Sequence, residues 1–224
     1  MSEIKTIIVN RSAYADNDLE ANALRAYLKE KGTFVVNLMS SPGAGKTTTL
    51  TKLINALKNE YRIGVMEADI DSDVDAISIA KNTGVKSIQL HTSGMCHLDA
   101  GMTKSGLDSI NIKDLDLVFL ENVGNLVCPA EFDTGAVKDL VILSVPEGDD
   151  KPLKYPLMFE KADVVLVNKI DAMEVFDFDM DRFSEYVRMR NAKADIFPVS
   201  AETGEGFDAA AEWVRYAARE WLEK

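Results

Sequence analysis

The stretch Ser40-Ser41-Pro42-Gly43-Ala44-Gly45-Lys46-Thr47-Thr48, set directly behind an apolar run at residues 34–38, constrains this chain more than any other feature. A glycine-rich turn that leaves a strand and opens a helix points successive backbone amides into one concavity, and the helix adds its positive end. The pattern G-x-x-x-x-G-K-[ST] is met, except that Ser40 stands where the first glycine belongs. Gly43 and Gly45 sit where the chain must bend most, with Ala44 between them. Lys46 is then placed to reach the β- and γ-phosphates, the Thr47 hydroxyl to coordinate Mg2+, and Thr48 to carry the loop into the helix. The segment predicts a nucleoside triphosphate site.

The rest of the chain supplies a matching scaffold. Further apolar runs of strand length lie at residues 63–66, 87–90, 117–120, 140–144, 164–167 and 196–199. Several are apolar at successive positions, as strands covered on both faces are. Helical segments alternate with them, one through Leu50, Leu53, Ile54 and Leu57 and another through Ala76, Ile77, Ile79 and Ala80. This alternation predicts an α/β phosphate-loop NTPase fold, a doubly wound, mostly parallel sheet with helices on both faces. Ahead of it, residues 17–31 repeat Leu19, Ala23, Leu24 and Leu28 at helical spacing and stop at Gly32. Residues 206–222 form a last helix with Phe207, Ala210, Ala211, Val214 and Ala218 on one side. The expected division is therefore an N-terminal segment, residues 1–32, whose helix packs on the domain, and a domain over residues 33–224.

Composition narrows the partners. A net charge of −12 argues against a broad basic surface for nucleic acid or anionic lipid, although backbone amides build a local anion site whatever the net charge. No stretch approaches the ~20 apolar residues of a membrane helix, and the first 30 residues lack the basic start and apolar core of a secretory signal. Two cysteines, Cys96 and Cys128, are too few for a disulfide scaffold, so a cytoplasmic protein with reduced thiols is expected.

The run at 164–167 ends in Asn168-Lys169-Ile170-Asp171. An aspartate suits guanine because its two oxygens accept from the ring N1–H and the exocyclic amino group, a donor pair adenine does not offer. Asn168 and Lys169 would brace the loops around the base, and Ser200-Ala201, again behind a strand, would offer a backbone amide to the base oxygen. GTP is the expected nucleotide. An ATP-dependent kinase is the rival reading, and Asn168 and Asp171 argue against it.

Behind the run at 63–66 come Glu67-Ala68-Asp69-Ile70-Asp71-Ser72-Asp73-Val74-Asp75. A calcium loop fails here, because its sixth and twelfth positions are Val74 and Ala80 rather than glycine and glutamate. Asp71 and Asp73 read as a solvated turn, while Asp69, at the strand end facing the phosphate loop, is placed to serve Mg2+ or to orient water. The run at 117–120 delivers Glu121-Asn122-Val123-Gly124, where many GTPases carry D-x-x-G. Glu121 would hold Mg2+ and Gly124 would sense the γ-phosphate.

The chain holds two cysteines and two histidines, and three of these four residues, Cys96, His97 and Cys128, fall in two loops that each follow a predicted strand. Thiolate and imidazole ligands suit zinc or nickel. Three donors do not close a tetrahedral site, whereas two chains across a two-fold axis would supply six. The alternative is a metal-independent regulatory GTPase whose cysteines pack in the core.

SSPGAGKTT, CHLDA, ENVGNLVCPA, EGDDKPLKYP and NKID, in this order, resemble HypB, the nickel-insertion GTPase family of nickel–iron hydrogenase maturation. The similarity runs from about Thr33 to the C-terminus. The urease accessory GTPase is a relative, but its Cys-Pro-His metal motif is absent here. The resemblance implies a slow GTPase, with Cys96, His97 and Cys128 as nickel or zinc ligands at a GTP-dependent homodimer interface, and with Lys46, Asp69, Asp75 and Glu121 serving hydrolysis. It also implies a zinc-bearing co-chaperone and a hydrogenase large-subunit precursor as partners. Many members begin with a nickel-binding cysteine motif or a histidine-rich stretch; residues 1–31 here hold neither Cys nor His.

Overall fold

The computed structural model describes residues 11–69 and 74–223. Its strands are β1 (Phe34–Ser40), β2 (Ile63–Asp69), β3 (Lys86–His91), β4 (Leu117–Glu121), β5 (Lys138–Ser144), β6 (Val164–Asn168) and β7 (Asp195–Pro198). They form one 7-stranded sheet in the order β3-β2-β4-β1-β5-β6-β7, with every neighbouring pair parallel. The helices are α1 (Arg11–Lys31), α2 (Lys46–Leu57), α3 (Val74–Thr83), α4 (Ala100–Ile110), α5 (Cys128–Glu131), α6 (Lys151–Lys154), α7 (Pro156–Lys161), α8 (Met180–Arg190) and α9 (Phe207–Glu223). Every apolar run read from the sequence is a strand. The sheet is doubly wound, as the strand–helix alternation predicted.

Side-chain alternation along the strands builds two cores. Phe34, Val36 and Leu38 of β1, with Leu117 and Phe119 of β4, pack against Leu50, Leu53, Ile54 and Leu57 of α2 and Ala211, Val214 and Ala218 of α9. On the opposite face, Val35, Val118 and Leu120 meet Leu24 and Leu28 of α1 and Leu107 and Ile110 of α4. Farther along that face, Val141, Leu143, Val165 and Val167 meet Met158 and Phe159 of α7 and Phe183 and Val187 of α8. Each such side chain taken wholly out of water contributes about 1.5–3 kcal/mol before entropy is counted. The edge strands β3 and β7 are only half buried, whereas all of β1 is covered.

Local chemistry sets the helix ends. Gly32, at φ +67°, closes α1, with the Thr33 amide donating back to the Leu28 carbonyl at 3.0 Å. The Asp99 carboxylate caps α4 by accepting from the Met102 amide at 2.8 Å, and Asp179 caps α8 by accepting from the Arg182 amide at 3.0 Å. Among the described residues, no helix is long and apolar enough to cross a membrane.

Candidate nucleotide and metal site

The phosphate loop leaves the carboxyl end of the central strand β1, the position where open α/β sheets bind ligands. Gly43 and Gly45 take φ +79° and +95°, and α2 begins directly behind Gly45 with no side chain capping its first turn. Those amides are left for an anion. A Cβ at Gly45 would lie 2.5 Å from Asn168 Nδ2, so glycine is required there by both conformation and space. The Glu147 carboxylate accepts from the Ser41 hydroxyl and, through its other oxygen, from the Ser144 amide at 2.6 Å and hydroxyl at 2.8 Å. Glu147, which the sequence reading did not single out, thus ties the phosphate loop to the end of β5.

The segment 168–171 knits this loop to the next. Asn168 Nδ2 donates to the Ala44 carbonyl at 2.9 Å, and Asn168 Oδ1 accepts from the Ala201 amide at 3.0 Å. Lys169 Nζ donates to the Gly43 carbonyl at 2.7 Å. The Ser200 hydroxyl donates to Asp171 Oδ1 at 2.5 Å, which fixes the carboxylate at the rim of a cleft lined by Gly45, Thr48, Asn168, Lys169, Asp171 and Ala201. The two candidate guanine segments and the phosphate loop therefore share one cleft.

On the other side of Lys46 lies a carboxylate cluster. Glu67 of β2 and Glu121 of β4 are register partners on neighbouring strands, pointing to the α2 face, and both are buried. With Asp75 of α3 they bring one carboxylate oxygen each within 4.8 Å of the others. The Thr47 hydroxyl donates to Asp75 Oδ1 at 3.0 Å. Burial pushes Glu67 up to about 7, with a Gln89 hydrogen bond opposing it, and Glu121 up to about 8, with the Lys46 charge opposing it; the charges of Asp75 and Asp69 raise both, and that of Glu67 raises Glu121. One oxygen of each glutamate is buried without a hydrogen-bond partner. Two orphaned carboxylate oxygens beside a threonine hydroxyl form an all-oxygen donor set of the kind Mg2+ takes. Thr47, Asp75 and Glu121 are brought together as candidates. Asp69 acts on the cluster by its charge but stands outside the carboxylate group, which is made of Glu67, Asp75 and Glu121. The sequence reading missed Glu67 because the apolar run stops at Met66; the alternation Ile63, Val65, Glu67 is the signal that places it on this face. Asp71 and Asp73 fall outside the described residues.

Gly124 lies beside the phosphate loop. A Cβ there would stand 3.2 Å from Lys46 Nζ and 3.3 Å from the Pro42 amide nitrogen, so its backbone lies against the phosphate loop. Cys128 follows at the first position of α5. The thiols of Cys96 and Cys128 meet within one chain: their hydrogen bond, followed by burial, raises the Cys128 thiol above its ordinary range. Asn125 Nδ2 also donates to Cys128 Sγ at 3.4 Å. His97 is not with them. Its imidazole stacks on the Phe132 ring, with centroids 3.8 Å apart and planes 10° apart, and its Nδ1 is buried without a partner. Burial lowers its proton affinity, although Asp99 and Glu131 oppose this.

Both thiol loops are braced by α1. Asn17 Oδ1 accepts from the Ala100 amide at 3.0 Å, and Asn17 Nδ2 donates to the Asp133 carbonyl at 2.9 Å. Arg25 Nη2 donates to both oxygens of the Asp133 carboxylate, at 2.5 and 2.6 Å, while its Nε donates to the Ala136 carbonyl at 2.9 Å. Met95 and Val127, next to the two cysteines, are exposed apolar side chains at 40% and 48%.

The profile of the "CobW/HypB/UreG, nucleotide-binding domain" family matches residues 34–198. The chain is 42% identical to the hydrogenase maturation factor HypB of Azotobacter chroococcum mcd 1 over 220 residues, 98% of this chain and 71% of the relative. The crystal structure of HypB from Helicobacter pylori in complex with nickel superimposes with a TM-score of 0.86 at 37% identity, covering 92% of this chain and 96% of that one. That of the hydrogenase maturation factor HypB from Archaeoglobus fulgidus gives 0.84 at 35% identity, covering 91% and 99%.

Proposed function

The chain belongs to the HypB family of hydrogenase maturation factors and carries its nucleotide-binding domain, and from this premise we propose that it is a GTP-hydrolysing metallochaperone whose cargo is nickel. Cys96 and Cys128 hold the metal, His97 joins them, and the site is completed across a GTP-dependent homodimer in the cytoplasm. One observation supports the reading: Gly124, against Lys46, and Cys128, against Cys96, lie on one short segment, so a backbone that met the γ-phosphate would also set the position of the Cys128 thiol.

In this scheme Asp171 selects guanine by accepting from N1–H and the amino group, and Asn168 and Lys169 hold its loop to Ala44 and Gly43. Thr47, Asp75 and Glu121, joined by Glu67, would hold Mg2+, whose charge would offset that of the β- and γ-phosphates. Lys46 and the loop amides stabilise the charge that develops as water attacks the γ-phosphorus and the bond to the β-phosphate oxygen breaks. Asp69, whose charge reaches the cluster, would orient that water. Loss of phosphate removes the contact at Gly124 and relaxes α5. Coupling is reciprocal, so bound nickel alters nucleotide affinity by the same factor. Zinc satisfies the same donors, and the scheme places a zinc-bearing co-chaperone and a hydrogenase large-subunit precursor up- and downstream.

Sedimentation combined with metal analysis tests this, comparing a non-hydrolysable GTP analogue with GDP in nickel-supplemented buffer. The expected result is a dimer with the analogue whose nickel content differs from that of the GDP form. Equal mass and equal nickel in both states would refute the switch.

A further inference from the structure

The aromatic stack that holds His97 has no role in the scheme above. Phe132 is the residue immediately behind α5, and Cys128 is the first residue of that helix, so the thiol and the ring bracket one turn of chain. On its far side the ring touches Tyr14 of α1, with centroids 5.1 Å apart. Behind α5 lies a cavity of about 230 Å³ lined by Met39, Pro129, Ala130, Phe132 and Thr134 among others. The cleft is partly open and also carries Arg25, Asp133, Asp139 and Lys161, so α5 is not close-packed on that side. The imidazole in the stack has a buried Nδ1 with no hydrogen-bond partner, which calls for a structural reason.

We propose that Phe132 is a positioning residue for the metal site: it parks His97 against α5 while the two thiols pair, and displacement of α5 withdraws the ring as it moves Cys128, so that the third donor is released together with the second. This inference rests on the reading of Cys96, His97 and Cys128 as metal ligands. Its content is that donor number is set by an aromatic contact: two thiols with the ring stacked, two thiols and an imidazole with it withdrawn. An aromatic contact of this kind shifts an equilibrium by about two- to ten-fold.

The test uses the full chain with Phe132→Leu, which keeps apolar bulk, and Phe132→Tyr, which keeps the ring. Phe132 is half-buried, and the tyrosine variant guards against loss of folding. The chain has two histidines, His91 and His97, so the imidazole proton resonances of the metal-free protein are assignable against a His91→Gln control. His97 is expected to be ring-current shifted in the wild type and in Phe132→Tyr, and unshifted in Phe132→Leu. Nickel affinity, measured with Ni2+ alone against a chromophoric chelator in the presence of the non-hydrolysable GTP analogue, where the ring is stacked, is expected to rise two- to ten-fold in Phe132→Leu. The ratio of affinities between the GTP-analogue and GDP forms is expected to narrow by the same factor, with Phe132→Tyr retaining the wild-type ratio. Unchanged histidine shifts and unchanged affinities in Phe132→Leu, while Cys128→Ser still loses nickel, would overturn this inference alone. Nickel binding indifferent to Cys128→Ser would overturn both it and the metal reading beneath it.

Discussion

Replacing Glu67 by glutamine separates what the carboxylate cluster does to the fold from what it does for a cation. Glu67 is 2% exposed, has one oxygen without a partner, and faces Glu121 and Asp75. Its proton affinity rises from an ordinary 4.5 to about 7, chiefly through burial. The unfolded chain loses this proton near 4.5, so below that pH the group is protonated in both states and contributes no difference. As pH climbs from 4.5 to 7, the fold must either keep a proton that the unfolded chain gives up or bury a charge, and stability falls throughout that window. The gap between 4.5 and about 7, at 1.36 kcal/mol per factor of ten, corresponds to about 3 kcal/mol, fully present at pH 8. A glutamine amide that gains no partner offsets about 1 kcal/mol of this gain. The net expectation is that Glu67→Gln stabilises the nucleotide-free protein by about 2 kcal/mol at pH 8 and by nothing at pH 5. For a chain of this size that is about 4–8 °C in Tm. The assay is thermal unfolding in chelator at both pH values, repeated with magnesium and a GTP analogue, where the order should reverse because a donor has been removed. A Tm difference that is the same at pH 5 and pH 8 would refute the reasoning.

Asp171→Asn should weaken GTP binding by about 10-fold or more and admit xanthosine triphosphate, since the exchanged donor and acceptor now match the altered base edge; equal GTP affinity in nucleotide competition would exclude Asp171 as the base contact. Gly45→Ala places a methyl 2.5 Å from Asn168 Nδ2 at φ +95°, a conformation that costs an L-residue about 1–2 kcal/mol before the clash. Loss of fluorescent-GDP binding together with a lower Tm is expected. Asn17→Ala strips partners from the Ala100 amide and the Asp133 carbonyl, about 1–3 kcal/mol of stability, and should lower nickel affinity without changing nucleotide affinity.

The sheet was legible because strands buried on both faces write continuous apolar runs, and those that form β1, β4, β5 and β6 are almost free of polar residues. Helices were read unevenly. In α9, Phe207, Ala210, Ala211, Val214 and Ala218 keep one face, and the helix is visible; in α8, Phe183 and Val187 alone are buried among charged neighbours, and it is not. Gly101 and Gly106 hide α4. Gly106 is there because a Cβ would meet Met66 Sδ at 2.9 Å, a reason that exists only once β2 is in place. The phosphate loop and guanine segment were readable because their chemistry is local. The pairing of Glu67 with Glu121 joins two strands 54 residues apart in sequence and is a fact of register, as the His97–Phe132 stack is a fact of packing.

The bracing of the thiol loops by Asn17 also orders events during synthesis. Its partners lie 83 and 116 residues downstream, so α1 leaves the ribosome long before either loop exists. The spacing between Cys96 and Cys128 becomes fixed only when that first helix folds back over the chain's middle third, after Asp133 has emerged. A nascent chain therefore presents its cysteines to the cell as separate, weak thiols. Whatever the assembled thiol pair binds, it binds only after the strands beneath both loops are in place, because the contact between Cys96 and Cys128 is a product of the fold and not of local sequence.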